Sequence, residues 1–506
     1  MLGAVGRAQA CDEALMYEER RRRIRVFSAI RPILPLVGVL AVLQCSSSHA
    51  QSDTLHLRAR VSGRVNAVYH LACLAGSLTC SRSIFEQWWK TGLGWTATDE
   101  SAIDDWRQTL KAVSDSAPPR PAAPMLLNAP QFHPSNVARE LVLTAAIESP
   151  TSEAFSWRTR TVLSRPQADR LIGSIDHIER RLKASRDDTA TIERRLRRVQ
   201  ETAGRMQMPA MAAAMAAFFE AKLPSSDIYI DAVIPPDPKS SAYSATQIGG
   251  HLVVEMVDSA EPADVVSIAL HELTHYMYDH ASREKHLALV GQFMGLDTPA
   301  STGLYTYLNE AVASAAQGVL LRRRGEHEDP DKAYDHPYIA PLGAATVPLL
   351  DDALRRRGTL FSRFAAPYAA AGAAALGGKV NQPRFVLSQT AIMVSDSDED
   401  RRLAETYLST MSPQSSARMS DESLLKRYPE LNVVRFARPD DIDAVGLSAE
   451  RDRLLGHRAF GYALRRGRKA WTCVLGGRDA AAIRDAIAHL GELPELTSEG
   501  LLFTIE

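Results

Sequence analysis

Hydrophobic residues are spaced in three different ways along this chain, and the changes of spacing divide it. Between residues 136 and 206 they recur at helical intervals within dense charge. In residues 176–198 (DHIERRLKASRDDTATIERRLRR), Ile178, Leu182, Ile192 and Leu196 form one apolar stripe. A stripe with charged flanks predicts a surface or paired helix, and so few heptads favour an intrachain hairpin over a coiled coil. Residues 208–223, rich in Ala and Met, predict a buried helix. The spacing then becomes that of strands: DIYIDAVI (227–234) and HLVVEMV (251–257) flank an expected loop at 235–247. Next comes VVSIALHELTHYMYD (265–279), unbroken by Gly or Pro, which predicts a buried helix. Glu261 and Asp264 stand where the positive end of that helix favours acidic groups. A further apolar run, TPASTGLYTYLNEAVASAAQGVLL (298–321), predicts a closely packed helix whose only charged residue is Glu310.

The flanks have other textures. LHLRARVS (55–62) predicts a strand, followed by the aromatic stretch FEQWWKTGLGW (85–95) and a helix through Trp106. Trp88, Trp89 and Trp95 are expected in a core. Six prolines between residues 114 and 134 disfavour regular structure and predict a linker or surface strap. Beyond residue 377, PRFVLSQTAIMVSD, NVVRFARP, KAWTCVLGG and LLFTIE predict strands, and RRLAETYLSTM and AAAIRDAIAHL predict helices. Gly476-Gly477 before the last helix is expected to be a plain turn. The fold class is α+β. Its expected parts are a signal peptide (1–50), an N-terminal α+β region (51–113), a Pro-rich linker (114–135), a helical region (136–224), a core (225–376), and a C-terminal α/β or α+β module (377–506).

Charge and cysteine change this picture in two places. With 59 basic and 60 acidic side chains, no overall field favours nucleic acid, and no nucleic-acid motif is present. RRRRIR (20–25) followed by ILPLVGVLAVL (33–43) and the small residues Ser48 and Ala50 predicts export, with cleavage after Ala50 and Met16 as a plausible start. The apolar run is too short to span a bilayer, so membrane association would come only through the export signal or lipidation of Cys45 in VLQC. In an oxidising compartment Cys73 and Cys80 could close a short disulfide loop, leaving Cys473 unpaired.

The chemistry concentrates in HELTH. On a helix, His271 and His275 return to one face and aim two nitrogens at one spot, with Glu272 one residue round. There Glu272 could hydrogen-bond a water held by a metal. Two histidines are a weak zinc site, and catalysis needs three protein ligands and an open position. Asp279, one turn past His275, could orient an imidazole or cap the helix. His251 is expected on the surface at a strand end. Glu310, alone in its apolar run, must face water or find a cation, and a zinc held by a neighbouring helix would supply one.

His271, Glu272 and His275, followed by Asn309-Glu310-Ala311, resemble the gluzincin branch of the zincin metallopeptidases over residues 227–342. The resemblance implies a small sheet with an edge strand, the motif helix below it, and a glutamate-bearing second helix alongside. It places zinc on His271, His275 and Glu310, and makes Glu272 the general base in hydrolysis of a protein or peptide substrate. His336 or Tyr338 would stabilise the oxyanion. Two departures stand out. The 34 residues between His275 and Glu310 imply an inserted loop at 283–303, and Ser314 stands where the family often has an Asp. The competing expectation is a binding or scaffold protein on the same fold, without catalysis.

Overall fold

The structure, a computed structural model, describes residues 56–506 apart from 79, 81, 117–133, 185–188, 224–226, 236–243, 297, 299, 324–335, 396, 420–430, 467–469 and 497–498. The export signal, Cys45 and most of the Pro-rich linker lie outside the described residues.

In chain order the N-terminal part comprises β1 (His56–Val61), α1 (Gly63–Leu74), α2 (Arg82–Thr91), α3 (Ala97–Ser116), α4 (Pro134–Glu148), α5 (Ser152–Thr159), α6 (Arg165–Ala184), α7 (Thr189–Arg205) and α8 (Met208–Phe218). Strands β2 (Asp227–Val233), β3 (Ala245–Ile248) and β4 (His251–Glu255) follow. They join β1 in a four-stranded sheet of order β1-β2-β4-β3. β1, β2 and β4 are parallel, and the edge strand β3 runs antiparallel to β4. The end of the expected loop, residues 245–247, thus belongs to that edge.

Strand alternation sends successive side chains to opposite faces, so each face of the sheet has its own core. Ile228, Ile230, Ala232, Leu252 and Val254 pack with α7 and α8 and with the helices that follow the sheet. Val233 and Val253 join the other core, built by α1 to α6. The stripe expected to pair α6 with α7 is therefore divided. Ile178 and Leu182 enter one core and Leu196 the other, because α6 packs on α1, α3 and α5 while α7 packs on β1, α8 and the helix Pro262–Asp279. Trp89 and Trp106 are fully buried, and Trp88 and Trp95 pack at the edge of the same core.

After the sheet come α9 (Pro262–Asp279), α10 (Arg283–Gly295), α11 (Ser301–Arg322), α12 (Ile339–Arg355) and α13 (Ala365–Leu376). α9 begins with Pro262 in its first turn and a capping box between Glu261 and Asp264, which satisfies backbone N–H groups that the helix leaves unpaired. It packs under β3 and β4 and alongside α11. The loop expected at 283–303 is mostly helix α10. Ser282 caps it, and Leu289, Val290 and Phe293 bury its inner side. His286 on this helix bonds the Tyr278 carbonyl at 2.9 Å, and burial lowers its pKa to about 4.

The C-terminal part has β5 (Gln389–Met393), α14 (Asp398–Met411), β6 (Ser415–Met419), β7 (Asn432–Ala437), β8 (Ala459–Arg466), β9 (Ala470–Gly477), α15 (Ala480–Glu492) and β10 (Gly500–Ile505). They form a second sheet of order β10-β8-β9-β7-β5-β6, in which β5, β6, β7 and β9 are parallel. Residues 383–386, expected to open a strand, form a helical turn instead. Gly476 and Gly477 end β9 and do not form a turn. A Cβ on Gly476 would fall 2.0 Å from the Phe460 ring, so the glycine makes room for that ring. Residues Leu55–Glu506 make one compact unit, so the module expected from 377 onward has its own sheet but is not a detached body.

Candidate metal centre

Helix α9 is apolar around most of its circumference, and burying it carries its polar residues inward. His271 is buried and His275 half-buried, one turn apart, with their Nε2 atoms 3.0 Å from each other and their rings at 84°. α11 packs beside them and brings Glu310 Oε2 to 3.5 Å from His271 Nε2 and 3.6 Å from His275 Nε2. Among the described residues this is the one group of three or more His, Cys, Asp or Glu side chains whose donor atoms converge. Three atoms at these separations lie on a circle of radius about 2.0 Å, the length of a zinc–nitrogen or zinc–oxygen bond. The donor set and its spacing suit a zinc ion, and His275 and Glu310 are half-buried.

The electrostatics suit a cation. Burial opposes charging of His271, but the Glu310 carboxylate, with smaller contributions from Glu272 and Gln317, holds the imidazole above its ordinary pKa. Glu272 is half-buried, and its charge is felt by both His271 and Tyr69. Tyr69 is itself fully buried and donates to Glu255 at 2.7 Å. Burial raises the pKa of Asp279 to about 7. The His275 charge opposes that rise, and Glu140 and Glu310 add to it. Asp279 Oδ1 and His275 Nδ1 are each sealed from solvent without a hydrogen-bond partner, so Asp279 acts on His275 through space and not through a bond.

Support for His271 comes from a residue that sequence reasoning missed. Gln317 Oε1 lies 3.1 Å from His271 Nδ1. The available signal was positional: Gln317 stands seven residues past Glu310, two helical turns on, and so on the same side of α11. Ser314 has no such role. Its Oγ is sealed without a partner, and its Cβ lies 2.8 Å from where a Cβ on Gly343 of α12 would be.

The other candidates lie elsewhere or have other tasks. Tyr338 donates its hydroxyl to Gln382 Oε1 at 2.9 Å, and its ring packs on Tyr307 and Phe385. His336 Nδ1 accepts from the backbone N–H groups of Tyr338 and Ile339 at the start of α12, and its ring faces Tyr307. Tyr307 is one turn before Glu310 on α11. The Tyr338 hydroxyl is thus engaged with Gln382, while His336, accepting on Nδ1, carries its ring hydrogen on Nε2. His251 is not a surface residue. It is buried on the sheet face opposite α9, with Nδ1 2.6 Å from Asp231 Oδ2 and its ring stacked on Tyr229. Arg60 Nε donates to the other oxygen of Asp231 at 2.7 Å, which completes a tie across β1, β2 and β4.

Comparisons with family models, with curated proteins and with solved structures find no match for this chain.

Proposed function

We propose that this chain is a zinc-dependent metallopeptidase of the gluzincin type, hydrolysing peptide bonds in an exported compartment. The observation that carries the reading is the triangle of His271 Nε2, His275 Nε2 and Glu310 Oε2, which has the size of a zinc coordination face and brings together residues from two helices. A four-stranded sheet with an antiparallel edge strand, the motif helix packed under that edge, and the glutamate helix alongside supports it as well. The disulfide between Cys73 and Cys80 agrees with export, and Cys473 is buried and unpaired.

His271, His275 and Glu310 would hold the metal. When bound, zinc supplies Lewis acidity that brings the pKa of a water to about 7 and polarises a carbonyl. Glu272, next to His271 on the same helix, takes the proton of the attacking water on its carboxylate and later delivers it to the leaving amine nitrogen. Among the described residues the edge strand β3 is paired on one side only, and its other side can hold an extended peptide by backbone hydrogen bonds.

A mixed peptide library incubated with zinc-loaded protein tests this reading. Cleavage is expected for the wild type, with a loss of roughly 100-fold or more in Glu272→Gln, the scale of a removed general base. Equal cleavage by both proteins, or none by either, contradicts it.

A further inference from the structure

Helix α11 meets His271 twice, once through Glu310 and again two turns later through Gln317. Both partners of the second contact are about nine-tenths buried or more, with 9% of Gln317 and 5% of His271 exposed. An amide oxygen can only accept, so the 3.1 Å contact puts a hydrogen on His271 Nδ1. The lone pair is then on Nε2, the atom that faces His275 and Glu310. With the Gln317 amide in this orientation, reversing the tautomer would set two acceptors against each other in a buried place.

We propose that Gln317 is a positioning residue of the metal centre, holding His271 in the tautomer and orientation that bind metal. The proposal rests on reading His271, His275 and Glu310 as that centre. The packing shows why the acceptor is here and not at residue 314. α12 crosses α11 so closely that Ser314 Cβ is 2.8 Å from the place of a Cβ on Gly343, and Ser314 Oγ is already sealed without a partner. A carboxylate at 314 would be pressed against a neighbouring helix and desolvated without a cation. Gln317 reaches Nδ1 from the next turn. Because it is neutral, Gln317 adds no further negative charge to those of Glu310 and Glu272, so a bound metal keeps more of its positive charge.

Zinc affinity of the full-length chain, measured against a chromogenic chelator, tests the proposal together with the histidine 15N shifts of zinc-loaded protein. Gln317→Leu is expected to weaken zinc roughly 10–100-fold, the usual cost of losing an outer partner of a histidine ligand. The His271 Nδ1–H signal should lose its hydrogen-bonded character. Gln317→Glu, which restores an acceptor, should recover wild-type affinity or better. If Gln317→Leu does not fold, Gln317→Met takes its place. Unchanged zinc affinity in a folded Leu or Met variant, or no recovery in a folded Gln317→Glu, overturns the positioning role. A wild-type chain that binds no zinc overturns the metal reading itself, before any variant is compared.

Discussion

Asp99 shows how a single buried charge is kept. Its side chain is fully buried at the start of α3, with His177 Nε2 2.8 Å from one oxygen and Thr96 donating twice, at 2.8 Å, to the other. Burial pushes its pKa up, but the bonds from His177 and Thr96 and the charge of Arg181 outweigh it and hold the carboxyl below its ordinary 3.8. A carboxylate depressed in this way contributes stability that is fully present above its unfolded value and lost as pH falls through the folded one. Asp99→Asn is therefore expected to cost about 1–3 kcal/mol at neutral pH. The gap to wild type should close below about pH 4, as read from urea midpoints across that range. A gap that stays constant with pH would contradict the assignment. Buried charge also explains which site residues were legible in the sequence. Glu310 stands alone in an apolar helix, so its need for a partner can be read from composition. Gln317 is neutral and makes no such demand. The environment of His251 depends on strand pairing that brings Asp231 beside it, which no local pattern displays.

Among elements, those with a clear period were readable: the two strands before HELTH, the motif helix, and the apolar helix after it. The boundary between loop and helix at 283–303 was not, because α10 buries only one side and its Ser282 cap resembles a turn signal. β8 went unread because its partners are set by the strands on either side of it in the sheet. The crossing of α11 and α12 depends on small residues. Gly343 faces Ser314, and a Cβ on Gly318 would fall 2.8 Å from Val347 Cγ2. Gly343→Val is expected to cost about 1–3 kcal/mol by overpacking. Because α11 carries both Glu310 and Gln317, the same change should also loosen zinc. Thermal unfolding with and without zinc checks both effects, and an unchanged midpoint would show that the crossing tolerates bulk.

Across the whole molecule, the first sheet divides its helices into two cores, one formed mostly before it in the chain and one mostly after. This arrangement determines what the candidate centre can contain. His251 and its Asp231 partner lie on the face of the first core, and HELTH and Glu310 belong to the second, so the sheet itself separates His251 from the candidate centre. α+β character and the position of the motif were legible in the sequence. How widely separated segments share a core was not, because burial of a helix face does not specify which surface covers it. The central claim is that one zinc sits between α9 and α11. Equilibrium zinc binding to the purified full-length chain tests it most directly. The account predicts one zinc per chain in the wild type, with at least roughly 100-fold weaker binding in Glu310→Ala, beyond the usual cost of an outer-sphere loss. No bound zinc in the wild type, or unchanged affinity in Glu310→Ala, would contradict it.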